Sequence, residues 1–157
     1  MKKIALFADV QNIYYTTRQA YERQFNYRKL WQYLCAKGEI ISATAYAIDR
    51  GDEKQRQFQS TLQKIGFDVK LKPYIQRSDG SAKGDWDVGI TIDVMDCASK
   101  VDCVVLLSGD GDFDLLLDKV SKAYGVTTEV YGVPALTANS LIESATIFHP
   151  ITKSLLL

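Results

Sequence analysis

An apolar run that ends in aspartates constrains the fold of this chain more than any other feature. Residues 101–107 are almost wholly apolar and lead directly into Ser108-Gly109-Asp110-Gly111-Asp112. An apolar strand of this kind is typical of the centre of a parallel sheet, where both faces are covered. The segment therefore predicts a buried central strand with carboxylates at its carboxyl end.

Strand patterns alternate with helical patterns along the rest of the chain. The predicted strands are residues 3–8, 40–48, 67–75, 126–131 and an edge strand at 147–148. The predicted helices are residues 12–23, 27–36, 52–65, 86–98, a segment from near 113 through 122, and 134–142. This order predicts an α/β fold with a mainly parallel sheet and right-handed crossover helices on both faces.

Length and composition predict one domain spanning residues 1–157. A chain of 157 residues with 46% hydrophobic content can bury one sizeable core and is short for two. Its first apolar run reaches Asp9 after five residues, and no later run is long enough to span a membrane. The odd set Cys35, Cys97 and Cys103 has no CxxC spacing, which favours reduced cysteines. We therefore expect a cytoplasmic location without membrane contact.

Charge is distributed unevenly although the net charge is zero. Residues 1–83 carry 15 Lys or Arg and 8 Asp or Glu, a balance of +7, whereas the remainder carries 4 and 11, a balance of −7. An acidic metal pocket beside a basic rim that holds phosphates would produce this asymmetry. Solvated surface charges distributed by chance would produce it too.

Two distant acidic segments are expected to meet at one edge of the sheet. Asp9 follows the first strand and Asp110 follows the central one, and sites in such sheets form outside the carboxyl ends of the strands. Protonation or a bound cation relieves the repulsion between close carboxylates, and hard oxygen ligands suit Mg²⁺ or Mn²⁺. Helix capping is the structural alternative, by Asp110 or Asp112 before the helix near residue 113, and by Asp9 or Asn12 before the first helix.

A third acidic segment lies at the start of the predicted helix 86–98. Asp85, Asp93 and Asp96 fall on one helical face, which an ordinary solvated surface would explain. Asp87 points elsewhere and lies in the first turn beside Trp86. Asp87 is therefore the better candidate ligand.

Three segments together resemble a known family. Residues 7–12 (FADVQN), 83–88 (KGDWDV) and 107–113 (LSGDGDF) look like the signature segments of the NYN domain, LabA-like subgroup, within the PIN-like nuclease superfamily. The similarity extends over residues 4–131. It departs from the family at Val10-Gln11, where a glycine-containing dipeptide is common, and at Gly89, where many members carry another acid.

The resemblance implies a Rossmann-like PIN fold and a ribonuclease that depends on Mg²⁺ or Mn²⁺ and cleaves RNA phosphodiesters. The acidic positions of the family, expected to be catalytic and to bind metal, match Asp9, Asp87, Asp110 and Asp112. The polar positions beside them match Asn12 and Ser108. The departure at Gly89 puts a second metal site in doubt.

Basic and aromatic residues near the predicted pocket are candidates for binding single-stranded RNA. The candidate phosphate contacts are Lys83 and Arg77, with Arg50 and Arg56 beside them, although ordinary surface cations would look the same. The candidate base-stacking residues are Tyr14, Tyr15, Tyr74 and Trp86, although core packing would equally explain Tyr14 and Trp86. His149 is the only histidine, so a pair of catalytic histidines is excluded, and we interpret it as structural.

Other functions fit the sequence less well. An aspartyl-phosphate phosphatase usually needs a second acid two residues after Asp9, where this chain has Gln11. A dinucleotide binder needs a third glycine and no anions at residues 109–113. A non-catalytic RNA-binding or regulatory protein with the same fold remains the alternative. PIN-like domains often pair, so the resemblance allows a homodimer, but the sequence does not fix the oligomeric state and shows no apolar stripe that identifies an interface.

Overall fold

A computed structural model describes residues 1–73, 75–76, 82–83 and 85–157. The strands are β1 (Lys3–Asp9), β2 (Glu39–Asp49), β3 (Asp68–Pro73), β4 (Ile75–Gln76), β5 (Ala82–Lys83), β6 (Cys103–Leu107), β7 (Thr127–Gly132) and β8 (Ile147–Pro150). The α-helices are α1 (Val10–Tyr21), α2 (Tyr27–Lys37), α3 (Glu53–Ile65), α4 (Asp87–Cys97), α5 (Asp114–Tyr124) and α6 (Asn139–Ser144). Within these described residues, no helix combines the length and apolar character needed to cross a bilayer.

Six strands form one parallel sheet in the order β3-β2-β1-β6-β7-β8, and β4 pairs with β5 in a small antiparallel sheet. The strand order therefore runs outward in both directions from the neighbours β1 and β6. In a doubly wound sheet, the crevice outside the carboxyl ends at this reversal is where ligands bind. The predicted parallel sheet is confirmed, and Asp9 and Ser108 lie at its reversal point.

Helices cover both faces of the sheet, as predicted. Successive residues of a strand point to opposite faces, so Leu6 joins one core cluster and Phe7 the other. The first cluster includes residues of α1, α2 and α3, represented by Ile13, Leu30, Leu34 and Leu62. The second includes residues of α4, α5 and α6, represented by Ile90, Val94, Leu117 and Leu141. Burying each such side chain contributes about 1.5–3 kcal/mol, and this burial holds the helices against the strands.

The helix predicted at residues 134–142 is wrong in its first half. The chain makes a 3-10 turn at Pro134–Leu136, and α6 begins only at Asn139. Between them, the Thr137 hydroxyl donates to the carbonyl of Val133, and the Ala138 amide donates to the carbonyl of Gly109. The Ala138 bond ties the segment to the loop after β6, and in an uninterrupted helix this amide would bond to the carbonyl of residue 134 instead.

The exposed face of α4 carries apolar residues that the sequence did not identify as exposed. Ile90 and Val94 are buried in the core, whereas Val88 is 70% and Ile92 54% exposed. Val88 and Ile92 lie one turn apart, so they form a short apolar stripe toward solvent. The sequence pattern did not identify this pair as exposed, and two side chains do not by themselves mark an interface.

Candidate metal centre

Asp9 ends β1 and precedes α1, which places a carboxylate at the edge of the sheet. Its residue surface is only 8% exposed, and its Oδ2 accepts a hydrogen bond of 3.0 Å from the Ser108 hydroxyl. Burial raises the pKa of Asp9 to about 6, because the charged form loses solvation, and the hydrogen bond from Ser108 only partly offsets this. Asp9 makes no side-chain capping hydrogen bond of good geometry to α1, although the backbone amide of Asn12 in the first turn of that helix also lowers its pKa.

The loop after β6 brings the second carboxylate to the same place. Ser108 is fully buried, and its Oγ accepts a hydrogen bond of 3.2 Å from the Asp110 amide while it donates to Asp9. The Oδ1 of Asp110 accepts from the Asp112 amide at 2.9 Å, which caps the 3-10 turn Gly111–Phe113. The capping alternative is therefore correct for Asp110, and the carboxylate that caps the turn also belongs to the acidic cluster.

Asn12 and Gly109 hold this loop against α1 and the segment after β7. The Oδ1 of Asn12 accepts a hydrogen bond of 2.8 Å from the Gly109 amide, so Asn12 positions the loop instead of capping α1. A Cβ on Gly109 would lie 2.7 Å from the backbone oxygen of Leu136, a distance that a side chain cannot keep without moving the backbone. The glycine is needed here for close approach between two loops.

Trp86 anchors the start of α4, where the third carboxylate lies. Its Nε1 donates to the carbonyl of Ala47 on β2 at 2.9 Å, and Lys72 Nζ lies 4.5 Å from the centre of its ring. A Cβ on Gly89 would lie 2.6 Å from the ring of Trp86. An acidic side chain at Gly89 would displace Trp86, which explains physically the departure seen in the sequence. Trp86 is thus partly buried and structural, in agreement with the packing alternative.

Asp87, in the first turn of α4, faces other carboxylates. Burial raises the pKa of Asp87 to about 8, and a hydrogen bond to Asp110, the charge of Asp110, a hydrogen bond to Asp112 and the charge of Asp85 add to this effect. In the absence of a cation, a carboxyl group with this pKa keeps its proton at neutral pH. Asp87 is therefore the place where the crowding of negative charge is greatest.

The three carboxylates of Asp9, Asp87 and Asp110 form one cluster. One ligand oxygen from each lies within 4.8 Å of the other two. Mg²⁺ holds oxygens at about 2.0–2.1 Å, which puts opposed ligands about 4 Å apart, so small side-chain rotations would close the set around an ion. Carboxylate oxygens suit Mg²⁺ or Mn²⁺, and the raised pKa values mark a site that a divalent cation would stabilise.

The other predicted site residues have different placements. Asp112 is exposed and contributes to the raised pKa of Asp87, but it lies outside the three-carboxylate cluster. Arg77, Tyr74 and the side chain of Lys83 lie outside the described residues. Arg56 is exposed on α3.

A pocket of about 330 Å³ adjoins the cluster and contains residues that the sequence analysis missed or misplaced. Its lining includes Asp9, Gln11, Asn12, Tyr15, Thr16, Asp85, Asp87 and Asp110. Asp85 had been placed on one helical face with Asp93, but α4 begins after Asp85, which therefore joins the pocket. Asp93 is not a solvated surface residue either, because it pairs with Lys70 at 2.7 Å and accepts from the Tyr46 hydroxyl. The position of Asp85 two residues before Asp87 was the signal that could have identified it.

Tyr15 extends the pocket toward the basic half of the chain. It is 49% exposed, and its hydroxyl accepts a hydrogen bond of 3.3 Å from Arg50. This bond is the main reason why the pKa of Tyr15 is lowered. Tyr14 is 45% exposed, so the packing alternative fails for it, and its hydroxyl accepts from Arg18 at 2.6 Å. An exposed aromatic ring with an arginine partner, Tyr15, therefore lines the pocket of the acidic cluster.

Comparisons with solved structures support this fold. A crystal structure of a protein of unknown function from Vibrio parahaemolyticus RIMD 2210633 is 52% identical, with a TM-score of 0.94 over 99% of this chain and 96% of that one. A carbohydrate kinase from Agrobacterium tumefaciens, 12% identical, has a TM-score of 0.52 over 94% of this chain and 60% of its own, and shares the fold alone.

Two comparisons of sequence, with a curated protein and with a family model, identify the family of this chain. The low amplitude and bright protein LabA from Synechococcus elongatus is 29% identical over 124 residues, which cover 74% of this chain. The match spans 66% of the length of LabA itself. The NYN domain model matches residues 3–152, which include every carboxylate of the cluster. Since that match covers nearly the whole chain, the protein belongs to the NYN domain family.

Proposed function

We propose that this protein is a metal-dependent ribonuclease that hydrolyses phosphodiester bonds of single-stranded RNA. The observation that carries the proposal is the convergence of Asp9, Asp87 and Asp110 within 4.8 Å at the reversal point of the sheet. The NYN family resembles PIN-like nucleases, in which an acidic pocket of this kind binds Mg²⁺ or Mn²⁺. The repulsion between the carboxylates supports a role in binding a cation.

Asp9, Asp87 and Asp110 would hold the ion, and Asp112 is the candidate for a fourth ligand or a second ion. When bound, Mg²⁺ or Mn²⁺ lowers the pKa of the attacking water and stabilises the charge on the leaving oxygen. The hydrogen bond of 3.0 Å from Ser108 fixes the orientation of the Asp9 carboxylate. The carboxylate is therefore held in one rotamer for binding the ion. The chain thus contributes position and negative charge.

Tyr15 and Arg50 support RNA as the substrate. An exposed aromatic ring can stack with a base of a single strand, and an arginine can contact a phosphate without reading sequence. Tyr15 lines the pocket of the acidic cluster and hydrogen-bonds to Arg50, so both kinds of contact lie next to the proposed reaction centre. Tyr14 and Arg18 form a second such pair on α1.

The test is cleavage of a labelled, unstructured RNA by wild type, Asp110→Asn and a matched control, Asp96→Asn, on the exposed face of α4. Wild type and the control should cut only with Mn²⁺ or Mg²⁺, and EDTA should stop both. Asp110→Asn should reduce the rate at least about 100-fold, because it removes a charge from the cluster. Equal residual cleavage by all three proteins would indicate a contaminating nuclease and contradict the proposal.

A non-catalytic RNA-binding protein is the second candidate, and one observation favours it. Gly89 occupies a position where many family members have an acid, and the ring of Trp86 lies 2.6 Å from where a Cβ would be. The chain therefore lacks a carboxylate at a position where many family members have one. Under this alternative, Mn²⁺ strengthens binding of the RNA but no strand is cut, which a gel-shift measurement beside the cleavage assay would show.

The cellular setting follows as part of the same proposal. The free cysteines Cys35, Cys97 and Cys103 fit a reducing compartment such as the cytoplasm.

We also propose that residues 1–157 form one domain, because both core clusters share strands of the same sheet. Homodimer formation stays a prediction, which light scattering of the purified protein would test.

A further inference from the structure

A second cleft lies on the α2 side of the sheet and shares no lining residue with the acidic pocket. Its volume is about 260 Å³. Its walls come from α2, from β7 and β8, and from the C-terminal segment, with the lining residues Tyr33, Lys37, Tyr131, His149, Pro150, Thr152, Ser154 and Leu155. Among these described residues none is acidic, so the cleft differs in charge from the acidic pocket.

A buried carboxylate, that of Glu129, lies behind the cleft and has basic side chains around it. Glu129 is 3% exposed, and its Oε1 lies 2.5 Å from His149 Nε2. Lys2 Nζ and Lys37 Nζ each lie 3.6 Å from its oxygens. Two lysines against one carboxylate leave a net charge of at least +1, and protonation of His149 adds to it. The surplus charge makes an anion the complementary ligand.

The other groups that face Glu129 and His149 do not cancel this charge. The Cys103 thiol donates to Glu129 at 3.2 Å, and burial raises the pKa of Cys103 to about 12, so the thiol is neutral. The Tyr131 ring stacks on His149 with centroids 4.4 Å apart, and burial likewise raises the pKa of Tyr131 to about 12. Only Glu129 is therefore anionic among these contacts.

The donors of the cleft match a phosphate group. Because Glu129 holds Nε2 of His149, Nδ1 is the ring nitrogen left for a ligand. Nδ1 donates to a phosphate oxygen when the ring is protonated and accepts from a P–OH group when the ring is neutral. Lys37 is half-exposed, and its 3.6 Å distance to Glu129 is longer than a hydrogen bond, so its ammonium can turn to a second anion. The hydroxyls of Thr152 and Ser154, 3.0 Å apart, add neutral donors on the opposite wall.

We propose that this cleft binds the phosphate group of a small phosphate monoester, with Lys37 as its charged contact and His149 beside it. The volume of about 260 Å³ is below the usual range for drug-sized ligands, about 300–1,000 Å³, and so fits a phosphate with a small organic part. Charge-assisted hydrogen bonds to phosphate oxygens supply the affinity. The proposal is independent of the nuclease reaction, since none of its residues belongs to the acidic cluster.

The single histidine makes the test direct. The ring signals of His149 are followed by NMR while inorganic phosphate is added to metal-free protein, with chloride of equal ionic strength as the reference. The titration is repeated for Lys37→Ala and for Lys119→Ala, which removes an exposed lysine of α5. Wild type and Lys119→Ala should show the same saturable shift. Lys37→Ala should bind about tenfold more weakly, the effect of losing one charge-assisted hydrogen bond.

Two outcomes would overturn the proposal. One is a His149 signal that phosphate moves no more than chloride does, and the other is equal affinity of Lys37→Ala and Lys119→Ala. An Asp110→Asn protein must bind phosphate as wild type does, and loss of the response in that variant would assign it to the acidic cluster. A nucleoside 5′-monophosphate that binds more tightly than inorganic phosphate supports a monoester ligand, and equal binding would limit the site to free phosphate and overturn the monoester.

Discussion

Asp9 and Glu129 are carboxylates that one sheet buries in opposite electrostatic surroundings. Asp9 is 8% and Glu129 3% exposed, so burial disfavours the charged form of both. Around Asp9 the neighbours are other acids, including Asp110, and its pKa is raised to about 6. Around Glu129, a hydrogen bond with His149 and the charge of Lys37 help to outweigh burial, and the pKa of Glu129 is lowered.

The difference shows how a fold separates structural from functional charge. Basic side chains of the same chain neutralise the charge of Glu129, so the ionised carboxylate stabilises the fold. Among the described residues, the Asp9 cluster has no cation partner of this kind, so its carboxylates repel one another until a cation binds. Strongly raised carboxyl pKa values within a pocket are therefore a guide to function, whereas a lowered one accompanies a structural ion pair.

Removing the charge of Glu129 should change the stability of the protein more than any other substitution proposed below. Glu129→Gln should lower the free energy of unfolding by about 3 kcal/mol, because His149 and the two lysines lose their shared anion. Urea unfolding followed by circular dichroism measures this. The exposed Glu143→Gln is the matched control and should change stability by less than about 0.5 kcal/mol. Similar stability of both variants would contradict the compensated ion cluster.

Replacing Asp9 by its amide should stabilise the metal-free protein, the opposite of the effect expected at Glu129. The pKa of Asp9 is raised from 3.8 to about 6 in the folded protein, so ionising Asp9 costs stability. This loss of stability is absent below pH 3.8, grows between pH 3.8 and about 6, and is complete above about pH 6. About two units correspond to about 3 kcal/mol at most, so Asp9→Asn should stabilise the apo protein at neutral pH by about 2 kcal/mol. The gain should disappear near pH 4, which urea unfolding at both pH values would show.

Saturating Mn²⁺ provides the control for that experiment. The ion should stabilise wild type and should act much less on Asp9→Asn, so that the order of stability reverses. If Mn²⁺ stabilised both proteins equally, Asp9 would not be a ligand.

Affinity for the cation should depend on pH in a defined direction. Protons compete with the metal, and the pKa values of Asp9 and Asp87 are raised to about 6 and about 8. Mn²⁺ should therefore bind at least about tenfold more tightly at pH 8 than at pH 6. Isothermal titration calorimetry measures this and should also detect proton release. A pH-independent affinity would mean that the carboxylates are already ionised without metal.

The smallest effect concerns one partner of Glu129 alone. Lys37→Ala should lower the free energy of unfolding by about 0.5–1 kcal/mol, because Lys37 is half-exposed and His149 and Lys2 remain. Urea unfolding beside Lys119→Ala gives the comparison. A loss as large as that of Glu129→Gln would show that Lys37 by itself holds the carboxylate.

Part of the candidate site could be predicted because it depends on local pattern. Asp9 and Asp110 each follow an apolar strand, and the carboxyl ends of neighbouring parallel strands share one edge of the sheet. Asp87 followed from the resemblance and from its place in the first helical turn. The place of Tyr15 near the pocket was predicted, but its hydrogen bond with Arg50 was not, because that bond depends on how α1 meets the residue after β2. The place of Asp85 in the pocket was not predicted either, because it depends on where Trp86 anchors the start of α4.

Local pattern in the chain is enough to predict the alternation of strands and helices and the carboxylates that follow the strands. These features are set by periodicity and by turn residues, which act over a few positions of the chain. Tertiary structure decided which charges are neighbours: it put Ser108 against Asp9 and His149 against Glu129. The reason is that Coulomb energy and desolvation depend on distance and burial in space, and residues 99 positions apart in the chain can lie 3.0 Å apart in the fold.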